Sequence, residues 1–115
     1  FGENPLFTCF VAEHENNIIG IALCYLRFST WKGKTLHLED LIVSESYRGS
    51  GAGGKLLDEV IKLGHSLKVR RICWEVLDWN TNAIAFYEKK GAAILKDWYL
   101  AQMDEKAISN YIKSI

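Results

Sequence analysis

The segment from Arg48 to Gly54 (RGSGAGG) concentrates glycine in a pattern suited to phosphate chemistry. Glycine has no Cβ, so a glycine-rich turn lets the backbone approach a bound group closely. Successive N–H groups and the start of a helix can then neutralise a phosphate or pyrophosphate without a metal. The segment therefore predicts an anion site. The simpler alternative is a glycine-rich helix start that binds nothing, because lone glycine patterns are weak signals.

Three phosphate-binding signatures overlap in this segment, and their surroundings distinguish them. A magnesium-nucleotide loop, G-x-x-x-x-G-K, needs Ser or Thr after its lysine, but this chain has Leu56 there. A dinucleotide fold, G-x-G-x-x-G, finds a suitably spaced acid in Glu75, but the roughly forty residues after it are too few for further βαβ units. The chain meets every requirement of the third signature, R-x-x-G-x-G.

The elements around the segment must place it between a strand and a helix. The β-prone runs 7–13 and 18–28 flank a polar turn and predict a hairpin, and 35–43 predicts a third strand. From Gly51 onward apolar residues recur with helical spacing, so the glycine segment opens a helix. Strict alternation in the third strand predicts a common face for His37, Glu39, Leu41 and Val43.

The second half of the chain alternates between strand-like and helical patterns. We predict a strand over 71–77, a helix over 80–90, a strand over 98–103 and a terminal helix over 104–115. The strand after Arg70 should lie parallel to the third strand, through a right-handed crossover. The predicted fold class is therefore α/β, with a mixed, mainly antiparallel sheet flanked by helices.

Composition limits the classes of function. The 115 residues, 49% of them hydrophobic, suffice for one globular domain over 1–115. Fourteen basic residues balance fourteen acidic ones, so no global charge favours nucleic acid or an anionic membrane. The three cysteines and three histidines lack metal-ligand spacing, so we predict no metal. Unpaired cysteines in apolar runs are typical of a cytoplasmic protein.

Several stretches together resemble the GNAT acetyltransferase superfamily, whose signature is R/Q-x-x-G-x-G/A between a strand and a helix. The chain is most similar to the diamine, spermidine/spermine and thialysine N-acetyltransferase branch. The matching stretches, in the family's order, are FGENP (1–5), WKGK (31–34), LEDLIV (38–43), YRGSGAGG (47–54), Trp79 with Asn80, and FYEKKGA (86–92). The resemblance implies a GNAT-like fold that is N-terminally truncated, without the family's first strand and two helices.

The resemblance implies acetyl-CoA as the cosubstrate and assigns residues to it. The strand backbone at Leu41, Ile42 and Val43 would pair with the pantetheine arm. The pyrophosphate would be held by Arg48, Gly49, Ser50, Gly51, Ala52, Gly53 and Gly54. Further cofactor contacts would come from Asn80, Thr81, Asn82 and Ala83.

Two catalytic residues are implied as well. Tyr87 matches the general acid that reprotonates the departing thiolate, and Glu39 matches the carboxylate that helps to deprotonate the amine. The residue types suit these roles, since a protonated amine cannot attack a thioester and a phenol can donate to a thiolate. Without the resemblance, a surface ion pair for Glu39 and a packed aromatic for Tyr87 are the ordinary alternatives.

The implied acceptor is the primary amine of a small molecule. Acidic and aromatic side chains expected to contact it are Glu39, Asp40, Trp79 and Asp97. The segment between Gly91 and Trp98 is shorter than in the polyamine enzymes, so a diamine or a thialysine-like amine is as suitable as a polyamine. His37 shares the predicted face of Glu39 and is a candidate for the proton path.

The expected mechanism is direct transfer in a ternary complex, because Cys24 and Cys73 lie away from the motif residues in sequence. Relatives in this branch are dimers, so we expect a homodimer that acts on small molecules and binds neither nucleic acid nor membrane. Two alternatives stay open. One is a CoA-binding module or an inactive fragment, and the other is an N-acetyltransferase that acts on a protein or peptide.

Overall fold

The computed structural model describes residues 6–115. The chain divides into two compact units, Phe1–Glu75 and Val76–Ile115, which are described one at a time. The FGENP stretch (1–5) lies outside the described residues. No helix in the described part is long and apolar enough to cross a membrane.

The first unit contains a sheet of four strands in the order β1-β2-β3-β4. Their bounds are Thr8–His14 (β1), Asn17–Ser29 (β2), Gly33–Val43 (β3) and Arg71–Cys73 (β4). The first three strands pair antiparallel, and β4 pairs parallel with β3. The mixed, mainly antiparallel sheet is thus confirmed. The hairpin turn between β1 and β2 uses Glu15 and Asn16 at positive φ, 51° and 66°, which matches the twist of the flanking strands.

One helix, α1 (Ala52–Ser66), forms the crossover between β3 and β4. Its apolar stripe faces the sheet, and the core is made of small and branched side chains from both elements. The buried hydrophobic residues are Ile19, Ala22, Cys24, Leu36, Leu38, Leu56, Leu57 and Val60. The backbone of α1 comes close to β4 at Gly64, where a Cβ would lie 2.6 Å from Cδ1 of Ile72.

A β-bulge interrupts β3 at Glu39. The register pairs Leu23 with Asp40 but Cys24 with Leu38, so Glu39 has no residue opposite it on β2. A bulge of this kind leaves one residue unpaired and re-aims its side chain. It is an irregularity that the alternation of the sequence did not predict.

Because of the bulge, the prediction that His37, Glu39, Leu41 and Val43 share one face of the strand is wrong. Leu41 and Val43 pair with Ala22 and Gly20, on the face of β2 that α1 covers, and a Cβ at Gly53 would lie 3.7 Å from the Val43 side chain. His37 pairs with Tyr25, on the opposite face. Because the extra residue shifts the alternation, His37 and Glu39 lie on one side of the sheet, and the apolar end of the strand lies on the other.

The second unit contains two helices, α2 (Thr81–Lys89) and α3 (Glu105–Ser114). Each begins with a side-chain cap. Asn80 accepts from the Ala83 N–H at 3.2 Å, and Asp104 accepts from the Ala107 N–H at 2.8 Å. Both helices agree with the sequence prediction to within one or two residues.

Two predicted strand segments are wrong. β4 ends at Cys73, so residues 74–77 are irregular, and residues 98–103 are irregular as well. Their β-prone composition does not suffice, because a strand also needs a neighbour to satisfy its backbone groups. Within the described residues of the second unit, no strand is available to pair with 98–103.

Candidate active site

The glycine segment forms a tight loop that opens directly into α1. Gly49 and Gly51 have φ of 82° and 92°, and Gly51 is the N-cap of the helix. A side chain at this φ is strained, so the loop depends on glycine at both positions. Among the described residues, no atom beyond the adjacent residues lies within 4 Å of where a Cβ would be at either glycine. The loop is therefore open on the side from which a ligand could approach the backbone.

The start of α1 offers unsatisfied donors to that open side. Lys55 N–H bonds to Gly51 O at 3.1 Å, and Ala52 N–H reaches Ser50 Oγ at 3.4 Å. The N–H groups of Gly53 and Gly54 have no acceptor among the described residues. The first turn contains no acidic side chain, so the helix dipole is uncompensated there. These donors fit a phosphate or pyrophosphate.

The edge of β3 next to this loop is only partly paired. β4 pairs with β3 from Thr35 to His37 and then ends at Cys73, while β3 continues to Val43. In the described sheet, the β4 side of β3 from Leu38 onward therefore has no partner strand. Arg48 Nε donates to Val43 O at 3.2 Å and ties the loop to the end of the strand. The chain thus presents strand edge, glycine loop and helix start in succession.

Glu39 lies at the start of this open edge, and two side chains hold its carboxylate. His37 Nε2 lies 3.2 Å from Oε2 of Glu39, and Tyr25 Oη donates to the same oxygen at 3.3 Å. The rings of Tyr25 and His37 are 5.3 Å apart. Desolvation, and then the Glu39 carboxylate, raise the pKa of Tyr25, so its hydroxyl stays protonated and available as a donor.

His37 connects Glu39 to two further residues. Arg27 Nη1 lies 2.9 Å from His37 Nδ1, and Cys73 Sγ lies 3.5 Å from the same nitrogen. The His37 ring is buried, whereas the Glu39 side chain is half exposed. Tyr25 and Arg27 were not predicted as site residues, although the hairpin register places Tyr25 opposite His37 and Arg27 two residues further along the same strand. Cys73 is distant from the motif residues in sequence, but β4 pairs it with His37 in the sheet.

The bulge gives Glu39 an acidic neighbour, Asp40, on the same side of the sheet. Asp40 pairs with Leu23, which shares a face of β2 with Tyr25. The structure thus brings two predicted substrate-contacting carboxylates together within the first unit.

Cys24 lies on the α1 face, where burial raises the pKa of its thiol.

The remaining predicted site residues belong to the second unit. Tyr87 is partly buried on α2, and burial raises the pKa of its phenol. The Oδ1 atom of Asn80 caps α2, so only the remaining polar groups of Asn80 are available to bind a cofactor. Thr81 and Asn82 are exposed and Ala83 is half-buried. Trp79 and Asp97 are exposed as well. Within the described residues, no group of three or more histidine, cysteine or acidic side chains could hold a metal ion.

Solved structures share this fold. The chain superimposes with a TM-score of 0.86 on an integron cassette protein from the mobile metagenome of V. cholerae, covering 98% of this chain and 70% of that one. The two sequences are 23% identical, so this likeness concerns the fold alone.

The family follows from the sequence. The model of the acetyltransferase (GNAT) family matches residues 1–92. The chain therefore belongs to the GNAT acetyltransferase family, which confirms the resemblance and the enzymatic class that it implied.

Curated relatives are N-acetyltransferases that act on different amines. The chain is 34% identical to thialysine N-epsilon-acetyltransferase of Sus scrofa over 119 residues, which is 94% of this chain and 70% of the relative. It is 35% identical to L-ornithine N5-acetyltransferase of Arabidopsis thaliana over 109 residues, which is 92% of this chain and 48% of the relative.

Proposed function

We propose that this enzyme transfers acetyl from acetyl-CoA directly to the primary amine of a small diamine, polyamine or thialysine-like molecule. The observation that carries the proposal is the continuity of three features along one stretch of chain. Glu39 lies at a bulge, the following strand edge is unpaired, and the glycine loop at the start of α1 is open. Together they provide a proton acceptor, a backbone edge and an anion site in succession.

The binding of acetyl-CoA is assigned to the backbone of the first unit. The free N–H groups at the start of α1 suit the pyrophosphate, and Arg48 adds a positive charge beside them. The unpaired edge at Leu41, Ile42 and Val43 suits an extended arm that carries amide groups, because such an arm can complete the missing hydrogen bonds. Residues 80–83 at the start of α2 are assigned further contacts. The cosubstrate supplies the activated acetyl thioester.

Glu39 is assigned the removal of a proton from the amine. An alkyl amine is almost fully protonated near neutral pH, because its pKa is about 10, and the protonated form has no lone pair for attack. The half-exposed Glu39 carboxylate can accept that proton, directly or through a water molecule. Asp40 on the same side of the sheet adds negative charge that attracts a cationic acceptor.

Tyr87 is assigned the opposite proton transfer, to the departing thiolate. Its raised pKa keeps the phenol protonated at neutral pH, as a proton donor requires. Direct transfer requires no cysteine nucleophile, and the thiol of Cys24 is buried on the α1 face of the sheet, away from Glu39. The amine class rests on the relatives, whose names specify side-chain nitrogens of thialysine and L-ornithine.

The direct test is a panel of amines incubated with acetyl-CoA and followed by mass spectrometry. Thialysine, ornithine, putrescine and spermidine are expected to give singly acetylated products, and a peptide library is the comparison. Binding of acetyl-CoA by calorimetry without acetylation of any amine would indicate a CoA-binding module instead. Acetylation of peptides alone would overturn the small-molecule assignment.

A further inference from the structure

We propose that His37 is a positioning residue for Glu39: together with Tyr25 it fixes one oxygen of the carboxylate, so that the other oxygen receives the proton of the amine. The role toward an amine rests on the proposed function, whereas the hydrogen-bonded arrangement stands on geometry alone. Both contacts meet at Oε2, from His37 Nε2 at 3.2 Å and from Tyr25 Oη at 3.3 Å. No hydrogen bond from the described residues reaches Oε1.

The partner of the second ring nitrogen determines which nitrogen of His37 carries the proton. Arg27 Nη1 lies 2.9 Å from Nδ1. A guanidinium group has donors only and remains charged, so Nδ1 must be the acceptor in this contact. The neutral ring therefore carries its hydrogen on Nε2, which then donates to Glu39.

The same contacts argue against His37 as a proton relay. A proton arriving at Nδ1 would displace the Arg27 hydrogen bond and place an imidazolium beside a guanidinium. The charged and titratable groups that face the ring are Tyr25 and Arg27 of β2, Glu39 of β3 and Cys73 of β4. Glu39 is the carboxylate among them, and its side chain is half exposed, so it can accept a proton from outside the sheet.

The bulge explains why Glu39 needs such support. A residue in a regular ladder has its side-chain direction set by its paired neighbours, but Glu39 has no residue opposite it. A long, half-exposed carboxylate without a fixed direction would lose rotamer entropy each time it met a substrate. The His37 ring is held by contacts from both neighbouring strands, β2 and β4, so it can anchor the carboxylate without moving itself.

Two variants at position 37 test the arrangement through activity. His37→Leu removes the donor and is expected to lower kcat/KM for the amine about tenfold, the size typical of one hydrogen bond to a charged group. Its KM for acetyl-CoA should stay unchanged, because the glycine loop is untouched. His37→Gln keeps an N–H donor and should restore much of the lost activity.

Controls separate positioning from general damage to the fold. Tyr25→Phe keeps the ring and removes only the second donor, so it tests the same oxygen if His37→Leu does not fold. It should lower kcat/KM for the amine in the same way, with KM for acetyl-CoA unchanged. His65→Leu replaces an exposed histidine of α1 and should leave both kinetic constants unchanged. An unchanged kcat/KM for the amine in both His37→Leu and Tyr25→Phe would overturn the proposal.

A second readout does not depend on catalysis. Nitrogen-15 spectra of the intact chain at neutral pH should show His37 with its hydrogen on Nε2, and Glu39→Gln should change the Nε2 shift more than the Nδ1 shift. A hydrogen on Nδ1 would overturn the arrangement. If the wild-type enzyme acetylates no amine, the proposed function fails, while these spectra still decide whether His37 holds Glu39.

Discussion

At the scale of single residues, the chemistry depends most on the Glu39 carboxylate. Glu39→Gln keeps the size of the side chain and can still accept a hydrogen bond, but it is a far weaker base. We expect kcat/KM for the amine to fall by about 10²–10⁴-fold at neutral pH, the usual contribution of a general base. Acetyl-CoA affinity, measured by calorimetry, should change little, because the glycine loop is untouched.

A matched control for this change is available on α1. Glu59→Gln removes an exposed carboxylate paired with Lys62 at 3.2 Å, and exposed pairs contribute little to stability. It should be indistinguishable from wild type in both assays. An active Glu39→Gln enzyme would remove Glu39 from the proton-accepting role.

A second prediction at this scale concerns Tyr87 and includes a pH dependence of stability. Tyr87→Phe should lose turnover while keeping acetyl-CoA affinity, because only the donor is removed. Burial raises the pKa of Tyr87 above the ordinary value of about 10. Its contribution to stability is therefore complete below pH 10 and is lost as the pH rises further, so wild type should lose stability at alkaline pH more steeply than the variant.

The exposed Tyr99 provides the comparison for Tyr87. Tyr99→Phe should alter neither turnover nor the alkaline stability curve, which can be followed by circular dichroism. Full turnover in Tyr87→Phe would exclude the phenol as the acid.

At the scale of elements, the loop that starts α1 should be sensitive to glycine replacement at one position and tolerant at another. Gly51 has a φ of 92°, which costs an alanine about 1–3 kcal/mol, so Gly51→Ala should lower the free energy of unfolding by that amount. Gly53 has no positive φ, and its Cβ would be in ordinary contact with Val43. Gly53→Ala should therefore fold as well as wild type in urea titrations.

Element positions followed from the sequence where local patterns decide them. The hairpin, α1 with its glycine start and the capped helix α2 all come from turn residues, periodicity and caps that act over a few residues. The strand predicted over 98–103 failed because pairing is a tertiary property. A composition that favours strand cannot reveal whether a partner exists.

The candidate site could likewise be predicted only where local patterns mark it. Glu39 and the glycine loop were recognisable as motifs, but the bulge that turns Glu39 away from the Leu41 and Val43 face was not, since no glycine or proline marks it. His37 was already a candidate by alternation. Its partners Arg27 and Cys73 lie 10 and 36 residues away in the chain, and only the assembled sheet brings them to it.

At the scale of the whole molecule, the exposed apolar surface of the terminal helix α3 leads us to expect self-association. Ile108, Tyr111 and Ile112 form an apolar stripe on α3 and are each more than half exposed. A stripe of this kind is typical of a helix that packs against a partner, and we expect a second copy of this chain. Light scattering should report a dimer, and Ile112→Lys should shift the mass toward the monomer. A monomeric wild type at micromolar concentration would contradict this.

Direct acetyl transfer can be tested by initial rates measured with acetyl-CoA and an accepted amine varied together. A ternary complex predicts reciprocal plots that intersect, because both substrates must be bound before the acetyl group moves. Parallel lines would contradict the account. They would indicate a covalent acetyl-enzyme, for which Cys73 beside His37 would become the residue to examine.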